Sequence, residues 1–299
     1  AVQVLESTCT DKPTEMWVSK RDLTNDAELP GATLTIQDMD GNIVESWVST
    51  DTPHRVAGLY LGETYTLTET RPADGYALAD DITFRLLQKV DENGNNLQEA
   101  EVYYLTEKSL LFWTWDDWKL LDDATVIMRD DTIKVEISKK DLTTMEELPG
   151  AELTITDKDG KEIDRWVSTD KPHYIEKLPA GDYTLTEVKT PDGYATAEIV
   201  PFTVLPTGEV QRFEMLDDVI KVEISKKDLT TMEELPGVEL TITDKDGKKI
   251  ERWVSTDKPH YIEKLPAGDY TLTEVKAPDG YAFAESVPFT VLPTGEVQQ

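Results

Sequence analysis

One phrase recurs three times along this chain: VSKRDLTNDAELPGATLTI from Val18, ISKKDLTTMEELPGAELTI from Ile137 and ISKKDLTTMEELPGVELTI from Ile224. Lys139 and Lys226 lie 87 positions apart, as do Trp166 and Trp253. Residues 134–212 align on 221–299 with seven substitutions, among them Ala151/Val238, Glu162/Lys249 and Thr196/Phe283. A fixed period of this length is the mark of tandem copies of one small domain. The 299 residues therefore divide into three modules, each large enough for one modest core. The expected boundaries are 12–131, 132–218 and 219–299. Residues 1–11 read as the last strand of a preceding module or as a linker, and the third module as lacking its last strand within 219–299.

Sixty acidic residues against thirty basic ones give a net charge of −30. Phosphate backbones and anionic lipid surfaces recruit Lys and Arg, so the balance argues against both as partners. It favours a soluble, self-repelling, extended molecule. Cys9 is the sole cysteine, so no intrachain disulfide can form, and it reads as a small buried residue. No apolar run approaches the roughly 20 residues of a membrane span and no signal peptide opens the chain, which reads as a portion of something longer.

The modules read as β. Alternation runs through Glu152-Leu-Thr-Ile-Thr156 and Tyr183-Thr-Leu-Thr-Glu187, and turn signals separate such runs at Pro149-Gly150, Asp159-Gly160, Ala180-Gly181, Pro191-Asp-Gly193 and Thr207-Gly208. Short strands at this spacing predict all-β, Greek-key sandwiches in tandem. Leu205-Pro-Thr-Gly208 and Leu292-Pro-Thr-Gly295 lack the residue between Pro and Thr, the hydrophobic tail and the basic end of a sortase signal; both read as hairpin turns.

The first module is longer. Lys20 to Asp130 spans 110 positions and Lys139 to Asp217 spans 78, which places about 32 extra residues at 88–124. This insert holds Tyr103, Tyr104, Trp113, Trp115 and Trp118. Such aromatics can stack on sugars or form a protein hot spot. Equally, they can cover an open sheet edge or pack against the second module.

The segments Tyr65-Thr-Leu-Thr-Glu69 to Gly75-Tyr76, Tyr183-Thr-Leu-Thr-Glu187 to Gly193-Tyr194, and Tyr270-Thr-Leu-Thr-Glu274 to Gly280-Tyr281 resemble the glutamate-bearing motif of CnaB/SpaA-type, prealbumin-like domains. The ELPGA and WVST strands and the SKxD opening are also similar. Such domains build stalks of Gram-positive surface adhesins and pilins. The resemblance implies an extracellular, cell-wall-attached protein with a spontaneous isopeptide bond in each module. That bond joins a first-strand lysine to a last-strand Asn or Asp, assisted by a buried glutamate. Carried over, the first module supplies Lys20, Asp130 and Glu69, and the second Lys139, Asp217 and Glu187. The third supplies Lys226 and Glu274. Asp stands where many relatives have Asn, so condensation would expel water instead of ammonia.

The chemistry demands these residue types. An amine attacks only when neutral, and burial disfavours its charged form. A carboxyl is an electrophile only when protonated, and a second carboxyl beside it raises its proton affinity. The glutamate can then polarise the acceptor carbonyl and carry the proton to the departing hydroxyl. Strand alternation puts Val126, Met128 and Asp130 on one face, and Phe213, Met215 and Asp217 likewise. Lys140, Lys227, Asp131 and Asp218 have the opposite parity.

His54, His173 and His260 sit in separate modules, cannot converge on a metal, and read as turn residues. Asp157-Lys-Asp-Gly160 and Asp244-Lys-Asp-Gly247 lack the downstream ligands of a calcium loop and read as hairpins. No metal or cofactor is expected. The sequence thus predicts a stalk segment of a surface adhesin or minor pilin, monomeric, with neighbouring domains of the same protein as partners. Three alternatives stay open: a module binding a host protein or glycan through the aromatic insert, spacer repeats of a secreted enzyme, and head-to-tail strand exchange bringing Asp11 to Lys226 and Glu274.

Overall fold

The computed structural model describes residues 11–110 and 113–299, with side chains described throughout except at 107–115. Among the described residues every regular element is a strand. Among the same residues, no helix is long and apolar enough to cross a membrane. The chain forms two compact units, one of Ala1–Val135, Ile175–Gly181 and Val204–Gln211, the other of Glu136–Tyr174, Asp182–Thr203 and Arg212–Gln299.

The first repeat runs through β1 (Glu15–Asp22), β2 (Thr33–Asp38), β3 (Ile43–Val48), β4 (His54–Ala57), β5 (Thr64–Arg71), β6 (Ile82–Val90), β7 (Asn96–Leu110), β8 (Trp113–Leu121) and β9 (Thr125–Asp130). They form a three-stranded sheet in the order β4-β1-β9 and a six-stranded sheet in the order β3-β2-β5-β6-β7-β8. β1 pairs in parallel with β9, from Trp17↔Thr125 to Asp22↔Asp130, and antiparallel with β4. Period-two alternation buries Met16 and Val18 of β1 with Val126 and Met128 of β9; they join Leu34, Ile36, Leu67, Phe84 and Leu86 in one core. Full burial of each such side chain is worth about 1.5–3 kcal/mol.

The inserted residues lengthen the larger sheet. β7 pairs antiparallel with β6 and then with β8, from Val102↔Leu121 to Leu110↔Trp113. The insert is thus a long hairpin adding two strands, with Tyr104 packed against the core. The new edge strand, β8, carries Asp116, Asp117 and Lys119, charges that discourage further edge pairing.

The second repeat comprises β10 (Lys134–Asp141), β11 (Glu152–Asp157), β12 (Glu162–Val167), β13 (His173–Glu176), β14 (Gly181–Lys189), β15 (Val200–Val204) and β16 (Val210–Asp217). The third comprises β17 (Lys221–Ile224), β18 (Glu239–Asp244), β19 (Lys249–Val254), β20 (His260–Glu263), β21 (Gly268–Lys276), β22 (Val287–Val291) and β23 (Val297–Gln298). Sheet orders repeat: β13-β10-β16 with β12-β11-β14-β15, and β20-β17-β23 with β19-β18-β21-β22. β17 and β23 pair in parallel only at Lys221↔Val297 and Val222↔Gln298.

Two turn readings need correction. The Leu292–Gly295 turn (292–295), closed by the Thr294 N–H on Leu292 O at 2.9 Å, joins β22 to β23, which belong to different sheets. It is a crossing rather than a hairpin, because the closing strand must reach the side of the first strand; 205–208 does the same between β15 and β16. The histidines open short strands rather than occupying turns. His54 stacks on Trp47 at 4.2 Å, and its Nε2 lies 2.7 Å from Glu45 Oε1. Trp166/His173/Asp164 and Trp253/His260/Glu251 repeat the arrangement. The Asp157 turn is a hairpin between β11 and β12, whose carboxylate accepts the N–H groups of Asp159 and Lys161 at 2.9 Å each.

Candidate functional site

In the first repeat, Lys20, Glu69 and Asp130 are 2%, 3% and 1% exposed. Lys20 and Asp130 come from the parallel neighbours β1 and β9, where Lys20 pairs with Met128 and Asp22 with Asp130, so the two side chains meet on the diagonal. Glu69 approaches from the other sheet. A register shift between Thr33 and Leu34 sets it opposite Leu34 and turns it inward. Lys20 Nζ contacts Asp130 Oδ1 and lies 2.8 Å from Glu69 Oε1. Glu69 Oε2 accepts the Ala79 N–H at 2.8 Å, which fixes the carboxyl's rotation.

Glu69 Oε1 and Asp130 Oδ2 lack a hydrogen-bond partner among the described residues. Burial pushes the Asp130 carboxyl up to about 7, Lys20 opposes the rise, and Glu69 adds to it.

The second repeat builds the same site. Lys139 Nζ contacts Asp217 Oδ1 and stands 3.0 Å from Glu187 Oε1. Glu187 Oε2 accepts from the Ala197 N–H at 3.0 Å and the Thr190 hydroxyl at 2.8 Å. Burial pushes Asp217 up to about 7, again against Lys139 and with Glu187 adding.

The third repeat differs. Lys226 lies beyond the end of β17, its side chain 20% exposed, and its Nζ is 3.7 Å from Glu274 Oε2. Glu274 accepts the Ala284 N–H at 3.2 Å. Asp11 is exposed, whereas residues 1–10, including Cys9, lie outside the described residues.

Of the insert's aromatics, Trp118 lies under the Arg85 guanidinium at 4.1 Å, and Tyr103 stands 5.9 Å from it. The Tyr103 hydroxyl donates to Glu101 at 2.9 Å. The side chains of Trp113 and Trp115 lie outside those described.

Two features escaped the sequence reading. Ser49, Ser168 and Ser255 of the WVST strands each accept a buried N–H (Ala32, Ala151, Val238; 2.9 Å each) and donate to a carbonyl 20 residues earlier. Asp22 and Tyr76, whose hydroxyl donates to it at 2.7 Å, form a second buried polar pair. The same residues recur at every repeat, the Asp–Tyr pair being buried in the first two and exposed in the third, and that recurrence was the signal available.

Chemically, two sites bring together an amine, a carboxyl that favours its protonated form, and a second carboxyl able to move a proton. The fold around them has a known lineage. The chain belongs to the SpaA prealbumin-like fold domain family, which matches residues 14–97, 133–218 and 220–299. No curated protein sequence matches the chain. Among solved structures it is similar to the Bacillus anthracis TIE protein, with 22% identity over 96% of this chain and 50% of that one, at a TM-score of 0.45. It is also similar to the shaft pilin SpaA from Lactobacillus rhamnosus GG, with 16% identity, 70% and 98% coverage and a TM-score of 0.27. BcpA, the major pilin subunit of Bacillus cereus, shows 14% identity, 96% and 97% coverage and a TM-score of 0.33. The chain spans half the length of the TIE protein it matches.

Proposed function

We propose that the first two repeats each close an intramolecular isopeptide bond, Lys20 to Asp130 and Lys139 to Asp217, and that the chain is a stalk segment of a Gram-positive surface adhesin or pilin. The observation that carries this reading is the same buried Lys–Asp–Glu trio built twice, between first and last strands. The neutral Nζ attacks Cγ of the protonated aspartate; a C–N bond forms, a C–O bond breaks, and one water leaves. Glu69 or Glu187 takes the proton released by the amine and passes it to the departing hydroxyl. No redox partner is needed. The reaction runs once per repeat, so the protein is a substrate of its own chemistry and not an enzyme with turnover.

The role follows from where the bond falls. Tension along a tandem array enters a repeat by its first strand and leaves by its last, and a covalent tie between them carries the load past the sandwich. The net charge of −30 helps keep such an array solvated. Intact-mass measurement tests the proposal. The chain should be two water molecules lighter than its translated mass, and the variant with Glu69→Ala and Glu187→Ala should have the full mass translated from its own sequence. A wild-type chain at full translated mass would refute it.

A further inference from the structure

A three-part contact recurs inside each compact unit, built on an aspartate two residues beyond the lysine of each buried trio. In the first unit, the Tyr76 hydroxyl donates to Asp22 Oδ2 at 2.7 Å, and Lys177 Nζ donates to that hydroxyl at 2.5 Å and to Asp22 Oδ2 at 3.3 Å. The ammonium stands 4.7 Å from the Tyr76 ring centroid. Lys177, which comes from the second repeat, holds a left-handed backbone at φ +60°. Its carbonyl lies so near Gly75 that a Cβ there would meet it at 2.6 Å. The Ile133 N–H donates to Gly75 O at 2.9 Å, and the Lys177 N–H donates to Ile133 O at 2.8 Å, which ties the two segments together.

The second unit repeats the arrangement, with Lys264 Nζ 3.6 Å from Asp141 Oδ2. Tyr194 donates to Asp141 Oδ2 at 2.8 Å, and Lys264 of the third repeat donates to the Tyr194 hydroxyl at 2.6 Å and stands 4.8 Å from its ring centroid. Lys264 has φ +61°, and a Cβ on Gly193 would meet its carbonyl at 2.6 Å. Ile220 bridges the two by the same pair of backbone bonds, at 2.9 Å each. Burial would raise the Asp22 carboxyl, but hydrogen bonds from Thr24, Tyr76 and Lys177 overcome it and hold it well below the ordinary range.

The third repeat presents the same seat uncovered. Tyr281 donates to Asp228 Oδ2 at 2.6 Å, so the acid and phenol are already set. Yet Tyr281 is 47% exposed, against 7% for Tyr76 and 8% for Tyr194. Gly280 keeps φ +89° with open space where its Cβ would be, and among the described residues no cation lies over the Tyr281 ring.

We propose that Asp228, Gly280 and Tyr281 form a docking seat for one further repeat of this same kind. Its Glu-Lys-Leu-Pro turn places a left-handed lysine over the tyrosine, as Lys177 and Lys264 do. The seat needs all of its parts: an acid to take the charge, a phenol to relay it, and a glycine to let the carbonyl approach. A sandwich with another residue at the lysine position lacks the cation, and one unable to turn left-handed there cannot bring its carbonyl to the glycine. The seat is independent of the isopeptide reading.

Tyrosine nitration, mapped by peptide mass, tests this. In the 299-residue chain Tyr281 should react readily while Tyr76 and Tyr194 stay protected. Appending a second copy of residues 213–299 after Gln299 should lower Tyr281 reactivity several-fold, to the level of the other two. Hydrogen exchange on the same sample shows whether the appended strands are folded; folded strands with Tyr281 still reactive would overturn the proposal. Within the unextended chain, Lys264→Ala should raise Tyr194 reactivity several-fold, and unchanged protection would overturn it without any appended repeat. Tyr281 protection that grows with concentration of the unextended chain would assign the seat to a second molecule and overturn the tandem reading.

Discussion

Replacing Lys20 by Met removes the amine but keeps the length of the buried stem, and so separates the two energies at this site. The first is entropic. The proposed bond closes a loop between positions 110 apart, which in the chain-entropy model stabilises the fold by about 4.8 kcal/mol. The second is electrostatic. Without the lysine, Asp130 keeps burial and Glu69, both of which raise its pKa, and loses the group that lowered it. A carboxyl whose folded pKa lies above its unfolded value holds a proton that the unfolded chain releases. Its contribution is complete below an unfolded pKa near 4 and falls away as pH rises toward a folded value that, without Lys20, lies above the about 7 it has with Lys20 present.

Between pH 5 and pH 7 that loss is about 2–3 kcal/mol. The variant should therefore trail the wild type by about 5 kcal/mol near pH 4, and fall a further ~2–3 kcal/mol behind between pH 5 and pH 7. Native-state hydrogen exchange of β1 and β9 reads the first repeat separately from the others. Lys20→Met with Asp130→Asn should abolish the extra pH slope. Equal protection of variant and wild type at pH 5 refutes the cross-link. A slope shared by the single and double variants refutes the assignment to Asp130.

Asp130→Asn should still cross-link, expelling ammonia; because the product is the same amide, its intact mass should converge on that of the wild type. Lys226→Met should shift the intact mass only by the difference between the two residues and cost no more than about 1 kcal/mol in the third repeat, since its ion pair is long and partly solvated. Ser168→Ala strands the Ala151 N–H and the Leu148 carbonyl in a buried position and should destabilise the second repeat by about 1–3 kcal/mol in urea unfolding, more than the same change at exposed Thr169.

Much of this fold could be read from local pattern, because strand parity is a property of neighbouring residues. Alternation through Val126, Met128 and Asp130 predicted an inward carboxylate, and Asp130 is 1% exposed. The opposite parity of Asp131 and Lys140 was equally legible, and both are only partly buried. What local pattern does not contain is the identity of distant partners. Lys177 reaches Tyr76 across 101 positions, and nothing around either residue marks the pairing. The histidines failed for a similar reason: Thr-Pro-His looks like a turn until Trp47 on another strand supplies a ring for His54 to stack on. The aromatic insert was recognised as extra chain, but its hairpin pairing depends on the free edge of β6, which no composition records.

The parallel placement of β1 beside β9 has a consequence for contour length. Were the first repeat to unravel while untied, the segment between Lys20 and Asp130 would add about 370 Å of slack, and its counterpart in the second repeat about 270 Å. Stitched at those positions, neither segment can be drawn out, because pulled strand ends meet through a single amide. So stitched, each of the first two repeats would keep a nearly constant span between its first and last strands whether or not its sandwich remained folded, whereas the third, unstitched, would not.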